Sequence, residues 1–131
     1  MELYHGAHTK FKKHMGQWWT TSLSSAQSYA DKYGKNKGVV SEATIDPDGL
    51  KVLDAGRYDR DADVSPGDGD IRNFRGWDLV QVEDEDVRGR PHDAYRIVSK
   101  NALRRLQVKT SRRATTQRSQ NNKQLAARLK R

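Results

Sequence analysis

Most segments of this chain that are rich in apolar residues are only three to seven residues long, and this pattern favours a fold made mainly of short strands. Runs that are rich in β-branched and aromatic residues, or that alternate between apolar and polar residues, are typical of half-buried strands. We predict an α+β fold with compact, curved, largely antiparallel sheets and few helices. The predicted strands are residues 3–5, 17–22, 39–45, 50–53, 79–82 and 95–98.

One segment has clear helical spacing, because apolar residues recur at intervals of three and four along residues 26–33. Ser24 or Ser25 is the predicted N-cap, and Gly34 is a typical helix end. A shorter helical turn is predicted at residues 101–106. The segment 46–49, Asp-Pro-Asp-Gly, has the composition of a tight turn between two strands.

The positive charge of the chain is concentrated at one end. The formal net charge is +8, and residues 107–131 contain eight lysines and arginines and no acid, which leaves 17 basic and 17 acidic residues in 1–106. A segment this polar buries too little apolar surface to offset its ordering entropy. We therefore predict a domain at 1–106 and a basic tail at 107–131, flexible or marginally helical, that either keeps the protein in solution or reaches phosphate on nucleic acid.

Neither a membrane span nor a secretion signal is recognisable, and the chain has no cysteine. We expect an intracellular, cytoplasmic protein, in a bacterium or in a host cell. The long acidic loop at 54–70 has the one-three-five aspartate spacing of a calcium loop at Asp59, Asp61 and Asp63, but its sixth position is Val64 where glycine is needed. A solvated loop is the favoured interpretation. Because the histidines also lack zinc spacing, we expect no metal.

Two motifs remain after these exclusions. The first predicted strand ends in Tyr4-His5-Gly6, and a second, Trp18-Trp19-Thr20-Thr21-Ser22, is followed by Ser25-Ala26-Gln27-Ser28-Tyr29. These motifs are followed by the strand at 39–45, the Pro-Asp-Gly turn and the late strand at 95–98, and their order over residues 2–106 resembles the ADP-ribosyltransferase superfamily, in the branch that includes the poly-ADP-ribose polymerases. The resemblance implies the split β-sandwich of that superfamily, NAD as substrate, and no metal.

The resemblance also implies roles for individual residues. His5 would hydrogen-bond the adenosine ribose of NAD, and the backbone of Gly6 would pair with the nicotinamide carboxamide, which a side chain there would obstruct. Flat faces for the nicotinamide ring would come from Trp18 and from Tyr29 or Tyr33, although aromatic residues at these spacings are more often core residues than ligand contacts. Thr20 and Ser22 would orient the pocket through their hydroxyls, or would be ordinary strand residues.

The chemistry needs a carboxylate to stabilise the positive charge that develops on the ribose when nicotinamide leaves. The family places a glutamate directly before the tyrosine of the late strand, where this chain has Ala94, with Asp93 one position earlier. A bulge at 91–94 would aim Asp93 inward. Alternatively the acid follows the preceding strand, where we rank Asp84 above Glu83.

Three functions remain open. The first is an NAD-dependent mono-ADP-ribosyltransferase that modifies a protein or nucleic-acid target, such as a phage or bacterial effector. The second is an inactive, transferase-like module that binds nucleic acid or an acidic partner through its basic tail. The third is a nucleic-acid-binding protein with no relation to NAD.

Overall fold

The structure is a computed structural model that describes residues 1–58 and 67–113. Within these residues the fold is α+β, with one mostly antiparallel sheet of seven strands and two helices. The coarse fold prediction is therefore confirmed. A short 3-10 turn spans Ile71–Phe74. In chain order the elements are β1 Glu2–Ala7, β2 Trp18–Thr20, α1 Leu23–Gly34, β3 Val39–Thr44, β4 Val52–Arg57, β5 Leu79–Glu85, β6 Pro91–Ile97, α2 Lys100–Arg105 and β7 Gln107–Arg113.

The sheet has the strand order β4-β5-β6-β2-β1-β3-β7, and only β4 and β5 run parallel. Its pairing is uneven. β1 and β3 pair along six residues, whereas β1 and β2 meet only at Tyr4 and Thr20. This narrow contact, called here the β1–β2 junction, divides the sheet into a β4-β5-β6-β2 part and a β1-β3-β7 part.

The main core lies on one face of the sheet, against α2. Residues two apart on a strand, and residues directly opposite each other on neighbouring strands, point to the same face. Leu3 on β1 and Trp19 on β2 therefore share a face with residues of β3, β5 and β6, and α2 closes the cluster. The buried residues of this cluster are Leu3, Trp19, Ala43, Ile45, Leu79, Ile97, Ala102 and Leu106.

Helix α1 packs on the opposite face, directly against β1 and the start of β3. A Cβ atom added at Gly6 would lie 2.3 Å from the carbonyl oxygen of Ala26, and one added at Gly38 would lie 2.2 Å from that of Ala30. Both glycines are thus required by the close approach of α1. The N-cap prediction was wrong: Ser22 caps α1, with its Oγ accepting from the Ser25 N–H at 3.2 Å. The helix ends at Gly34, as predicted.

The acidic segment after Val82 is strand rather than loop. β5 continues to Glu85 and β6 begins at Pro91, and the two strands pair without a register shift from Leu79–Ile97 to Glu85–Pro91. Strand pairing overrides the low intrinsic strand preference of acidic residues here. The predicted bulge that would aim Asp93 inward is therefore absent from this pairing.

The predicted domain boundary at residue 106 also needs correction. Residues 107–113 are neither flexible nor helical but form β7, which pairs antiparallel with β3. β7 is an edge strand, where charged side chains stay in water and discourage pairing with other chains. This explains why a strand there is so polar. The rest of the predicted tail, 114–131, lies outside the described residues.

Further predictions concern the acidic loop, membrane spans and metal sites. The predicted loop 54–70 does not begin at residue 54, since β4 continues to Arg57, and Asp59, Asp61 and Asp63 lie outside the described residues. Asp70 caps the 3-10 turn and pairs with Arg72. In the described part of the chain no helix is long and apolar enough to cross a bilayer, and no three histidine or acidic side chains come together to hold a metal ion.

Candidate functional site

A cleft of about 960 Å³ opens at the β1–β2 junction, between α1 and the ends of β5 and β6. This volume lies at the upper end of the range for small-molecule sites. The cleft, called here the junction cleft, is lined by seven of the ten residues that the sequence assigned to an NAD site. These seven are Asp84, His5, Gly6, Trp18, Thr20, Tyr29 and Tyr33, whereas Glu83, Asp93 and Ser22 are not part of the lining.

The three candidate carboxylates fall on different faces of the sheet. Asp84 follows Val82 by two residues and so shares its face, and both line the junction cleft. Glu83 and Asp93 are directly opposite each other on β5 and β6 and point to the other face. The regular pairing of the two strands therefore separates Asp84 from the other two acids. One Asp84 oxygen accepts from the Glu85 N–H at 2.8 Å, which leaves the rest of the carboxylate for a ligand.

His92 is a cleft residue that the sequence interpretation missed, because the predicted late strand begins only at residue 95, whereas β6 begins at Pro91. It is the direct cross-strand partner of Asp84 and lines the junction cleft. Its Nδ1 atom is buried and has no hydrogen-bond partner among the described residues. Extending the period of two backwards from Ala94 along a longer β6 would have placed His92 on the cleft face.

His5 bridges the β1–β2 junction. Its Nδ1 lies 2.7 Å from the carbonyl oxygen of Trp18, and because a carbonyl can only accept, Nδ1 carries the proton. The ring packs against Trp19 and Phe11, with centroid distances of 5.3 and 5.7 Å. Burial lowers the pKa of His5, against the opposing effect of the hydrogen bond to Trp18. His5 is therefore neutral near pH 7, and its Nε2 is a hydrogen-bond acceptor.

The hydroxyls of Thr20 and Ser22 act in the turn that leads from β2 into α1. The Thr20 Oγ1 accepts from the Ser22 N–H at 3.0 Å, and the Ser22 side chain caps the helix. Ser22 thus has a local structural role outside the cleft lining. Ser25, whose buried Oγ has no partner among the described residues, lines the junction cleft one turn further along.

Three aromatic rings form the outer rim of the junction cleft, two of them on α1 and the third, His8, directly after β1. Tyr29 and Tyr33 are 47% and 50% exposed, and their ring centroids are 4.9 Å apart. His8 stacks on Tyr29 at 5.4 Å and hydrogen-bonds its hydroxyl at 3.2 Å. These tyrosines are not core residues. Each tyrosine keeps about half of its surface accessible to a ligand.

Trp18 is partly covered by a loop that Arg96 holds in place. The Arg96 guanidinium donates to the carbonyl oxygens of Gly16, Gly67 and Gly69 at 2.8 to 3.1 Å. A Cβ at Gly67 would lie 3.1 Å from the Trp18 ring, so the loop packs closely on that ring. The part of Trp18 that faces the junction cleft remains available.

Comparison of the chain with protein-family models, with curated proteins and with solved structures found no match in any of the three.

Proposed function

We propose that the protein is an NAD-dependent mono-ADP-ribosyltransferase whose catalytic carboxylate is Asp84. The observation that carries this proposal is the location of Asp84: of the three candidate acids, it alone lines the cleft that His5, Trp18 and the α1 tyrosines also line. The cleft combines a carboxylate, a neutral histidine and flat aromatic faces. These groups and the volume of the cleft suit a ligand with a ribose, charge and aromatic rings.

NAD binding in this proposal uses groups that the fold leaves unpaired. The Nε2 of His5 accepts a hydrogen bond from a ribose hydroxyl. Because β1 meets β2 only at Tyr4, the β1 backbone beyond Tyr4 has no strand partner on the β2 side among the described residues, and its polar groups suit the nicotinamide carboxamide. Trp18 and Tyr29 or Tyr33 supply flat faces for the nicotinamide ring.

The proposed reaction breaks the bond between nicotinamide and ribose. Nicotinamide leaves with the bonding electron pair, and the ribose carbon gains oxocarbenium character. The Asp84 carboxylate stabilises this positive charge and accepts a hydrogen bond from a ribose hydroxyl. An acceptor oxygen or nitrogen then bonds to the same carbon and loses its proton. Because the glutamate that the resembled polymerases carry before their late-strand tyrosine is Ala94 here, we infer transfer of a single unit.

The finer fold assignment belongs to the same proposal. We infer that the single sheet is a split β-sandwich of ADP-ribosyltransferase type, divided at the β1–β2 junction. Support comes from the one-residue contact between β1 and β2, which compares with three paired residues between β2 and β6 and six between β1 and β3. The target in this proposal is a protein or a nucleic acid, in the cytoplasm of a bacterium or of a host cell.

A second candidate function is an inactive, transferase-like binding module. It is favoured by the structural roles of the two residues of the His-Gly motif. Gly6 is needed for the packing of α1, and His5 bridges the junction through Trp18, so neither residue requires NAD to explain it. Such a module would bind its partner through basic residues rather than modify it.

The experiment that tests the proposal incubates the purified chain with NAD labelled in its adenylate part, with and without a cell lysate. The proposed enzyme releases nicotinamide and transfers label to a macromolecule. NAD binding by calorimetry without either product would support the inactive module. The absence of both binding and turnover would refute the resemblance and with it both NAD-based functions.

A further inference from the structure

The described part of the chain has an uneven charge distribution. Residues 1–44 and 107–113, which contain β1, β2, α1, β3 and β7, include nine lysines and arginines and only three acids, and three of the nine are Lys10, Lys12 and Lys13 in the loop between β1 and β2. The remaining described residues contain ten basic and eleven acidic side chains. The β1-β3-β7 part of the sheet with α1, residues 1–7, 22–44 and 107–113, contains six of these basic residues and the three acids, a net charge of +3 that is independent of the segment 114–131.

Four of these positive charges meet at one end of the sheet. Lys35 and Lys37 lie in the connection from α1 to β3, and Arg112 and Arg113 lie on β7 opposite Val40 and Val39, at the start of β3. All four side chains are exposed, and none forms an ion pair within residues 1–58 and 67–113. We call these four residues the basic end.

The basic end continues along α1 towards the junction cleft. Lys32, in the last turn of α1, lies with its ammonium 5.2 Å from the centre of the Tyr33 ring. Beyond it come the exposed rings of Tyr29 and His8 at the rim of the cleft. A row of cations thus leads to exposed aromatic faces. Proteins that bind single-stranded nucleic acid combine these two features, because phosphates need positive charge and unpaired bases stack on flat rings.

We propose that the basic end and the Tyr29–Tyr33 face of α1 form a binding site for single-stranded nucleic acid. The basic end contacts the phosphates, and an unpaired base stacks on Tyr33. A duplex suits the site less well because its bases are already stacked on one another. The site leads to the rim of the junction cleft. We therefore also infer that the acceptor of the proposed transfer is a nucleic acid, and only this inference about the acceptor rests on the proposed function.

Binding is measured on the full chain in the absence of NAD, by fluorescence anisotropy of a short labelled single-stranded oligonucleotide over a series of salt concentrations. The variant K35Q/K37Q/R112Q/R113Q removes the basic end. For single strands each phosphate contact contributes about 0.7 to the slope of log affinity against log salt, so four lost contacts make the slope shallower by about 3. The same relation predicts an affinity loss of roughly two to three orders of magnitude at about 0.1 M salt.

The control variant K51Q/R75Q/K100Q/R104Q removes the same charge from exposed residues elsewhere in the fold. It should lose little affinity and little salt dependence. Tyr33→Ala should weaken binding roughly five- to a hundredfold, whereas Tyr33→Phe should retain it, because stacking needs the ring and not the hydroxyl. Because Tyr33 and the basic end are exposed, these variants should keep the thermal midpoint of the wild type.

Equal affinity loss in the two quadruple variants would overturn the proposal, since it would show a general charge effect. So would preferential binding of the matching duplex, or equal binding of a polyglutamate peptide of the same charge, which would indicate a different class of partner. Because no step uses NAD, failure of the proposed transferase activity would leave these results unchanged. Binding that passes the tests without any transfer to nucleic acid would refute only the acceptor assignment.

Discussion

Replacing Gly6 with alanine should destabilise the protein even though no ligand is present. The new Cβ would lie 2.3 Å from the Ala26 carbonyl oxygen, and real Cβ atoms essentially never approach another atom closer than 3.0 Å. Helix α1 must therefore retreat from β1 by about 0.7 Å. Overpacking a tight contact of this kind costs typically about 1–3 kcal/mol. For a chain of this length, a loss of about 2 kcal/mol lowers the thermal midpoint by about 6–10 °C.

The assay is thermal unfolding followed by circular dichroism. Gly38→Ala tests the same contact from β3, since its Cβ would lie 2.2 Å from the Ala30 carbonyl oxygen, and it should give a similar loss. The exposed substitution Thr9→Ala is the control and should change the midpoint by no more than about 2 °C. If Gly6→Ala unfolded at the wild-type temperature, the packing of α1 on β1 would be wrong, and ligand approach would remain the only reason for a glycine at this position.

Three other predictions concern stability. Ser22→Ala should cost about 1 kcal/mol of unfolding free energy by denaturant titration, because the α1 cap is lost, whereas Ser24→Ala should cost less than about half of that; the reverse order would contradict the observed cap. Burial lowers the pKa of His5 in the folded protein below its usual 6.5. As the pH drops, the unfolded chain therefore binds the proton first, and the free energy of unfolding should fall between about pH 6.5 and the lowered pKa of the folded protein. His5→Asn should weaken this dependence of stability on pH, measured by urea titrations at several pH values. An unchanged pH dependence would refute this role of His5. Arg96→Gln should cost about 1–3 kcal/mol, because three backbone carbonyls lose a charged donor, and a neutral result would show that water replaces it.

The coarse fold could be predicted because its strands follow local patterns. Residues 39–45 and 79–82 alternate or are β-branched, and they form β3 and the first half of β5 as expected. The helix over residues 26–33 was also predicted correctly. In each case the apolar residues that define the element are the ones that the core or the sheet face buries.

The elements that could not be predicted owe their structure to partners distant in sequence. The acidic half of β5 is a strand because it pairs with β6, and the basic residues of β7 are a strand because β3 offers them an edge. Neither segment has an apolar face that local reasoning could detect. The true N-cap was missed because three serines lie within four residues, and only the direction in which the chain leaves β2 selects Ser22.

The candidate site could be predicted only in part, because it also depends on strand pairing between segments distant in sequence. Seven of the ten residues that the motifs indicated line one cleft, but the register of β5 against β6 decides which acid reaches that cleft. Register across β5 and β6 depends on the length of both strands, and the sequence interpretation underestimated both. His92 was missed through the same error. The catalytic role of Asp84 stays a prediction.

The most direct test of the account is the rate of nicotinamide release from NAD by Asp84→Asn, compared with Glu83→Gln and Asp93→Asn. All three replace a carboxylate with an amide of the same shape, and the two controls lie on the opposite face of the same strand pair. The account predicts that Asp84→Asn lowers the rate at least about a hundredfold, while both controls release nicotinamide at close to the wild-type rate. A wild-type rate in Asp84→Asn, or a greater loss in either control, would contradict it.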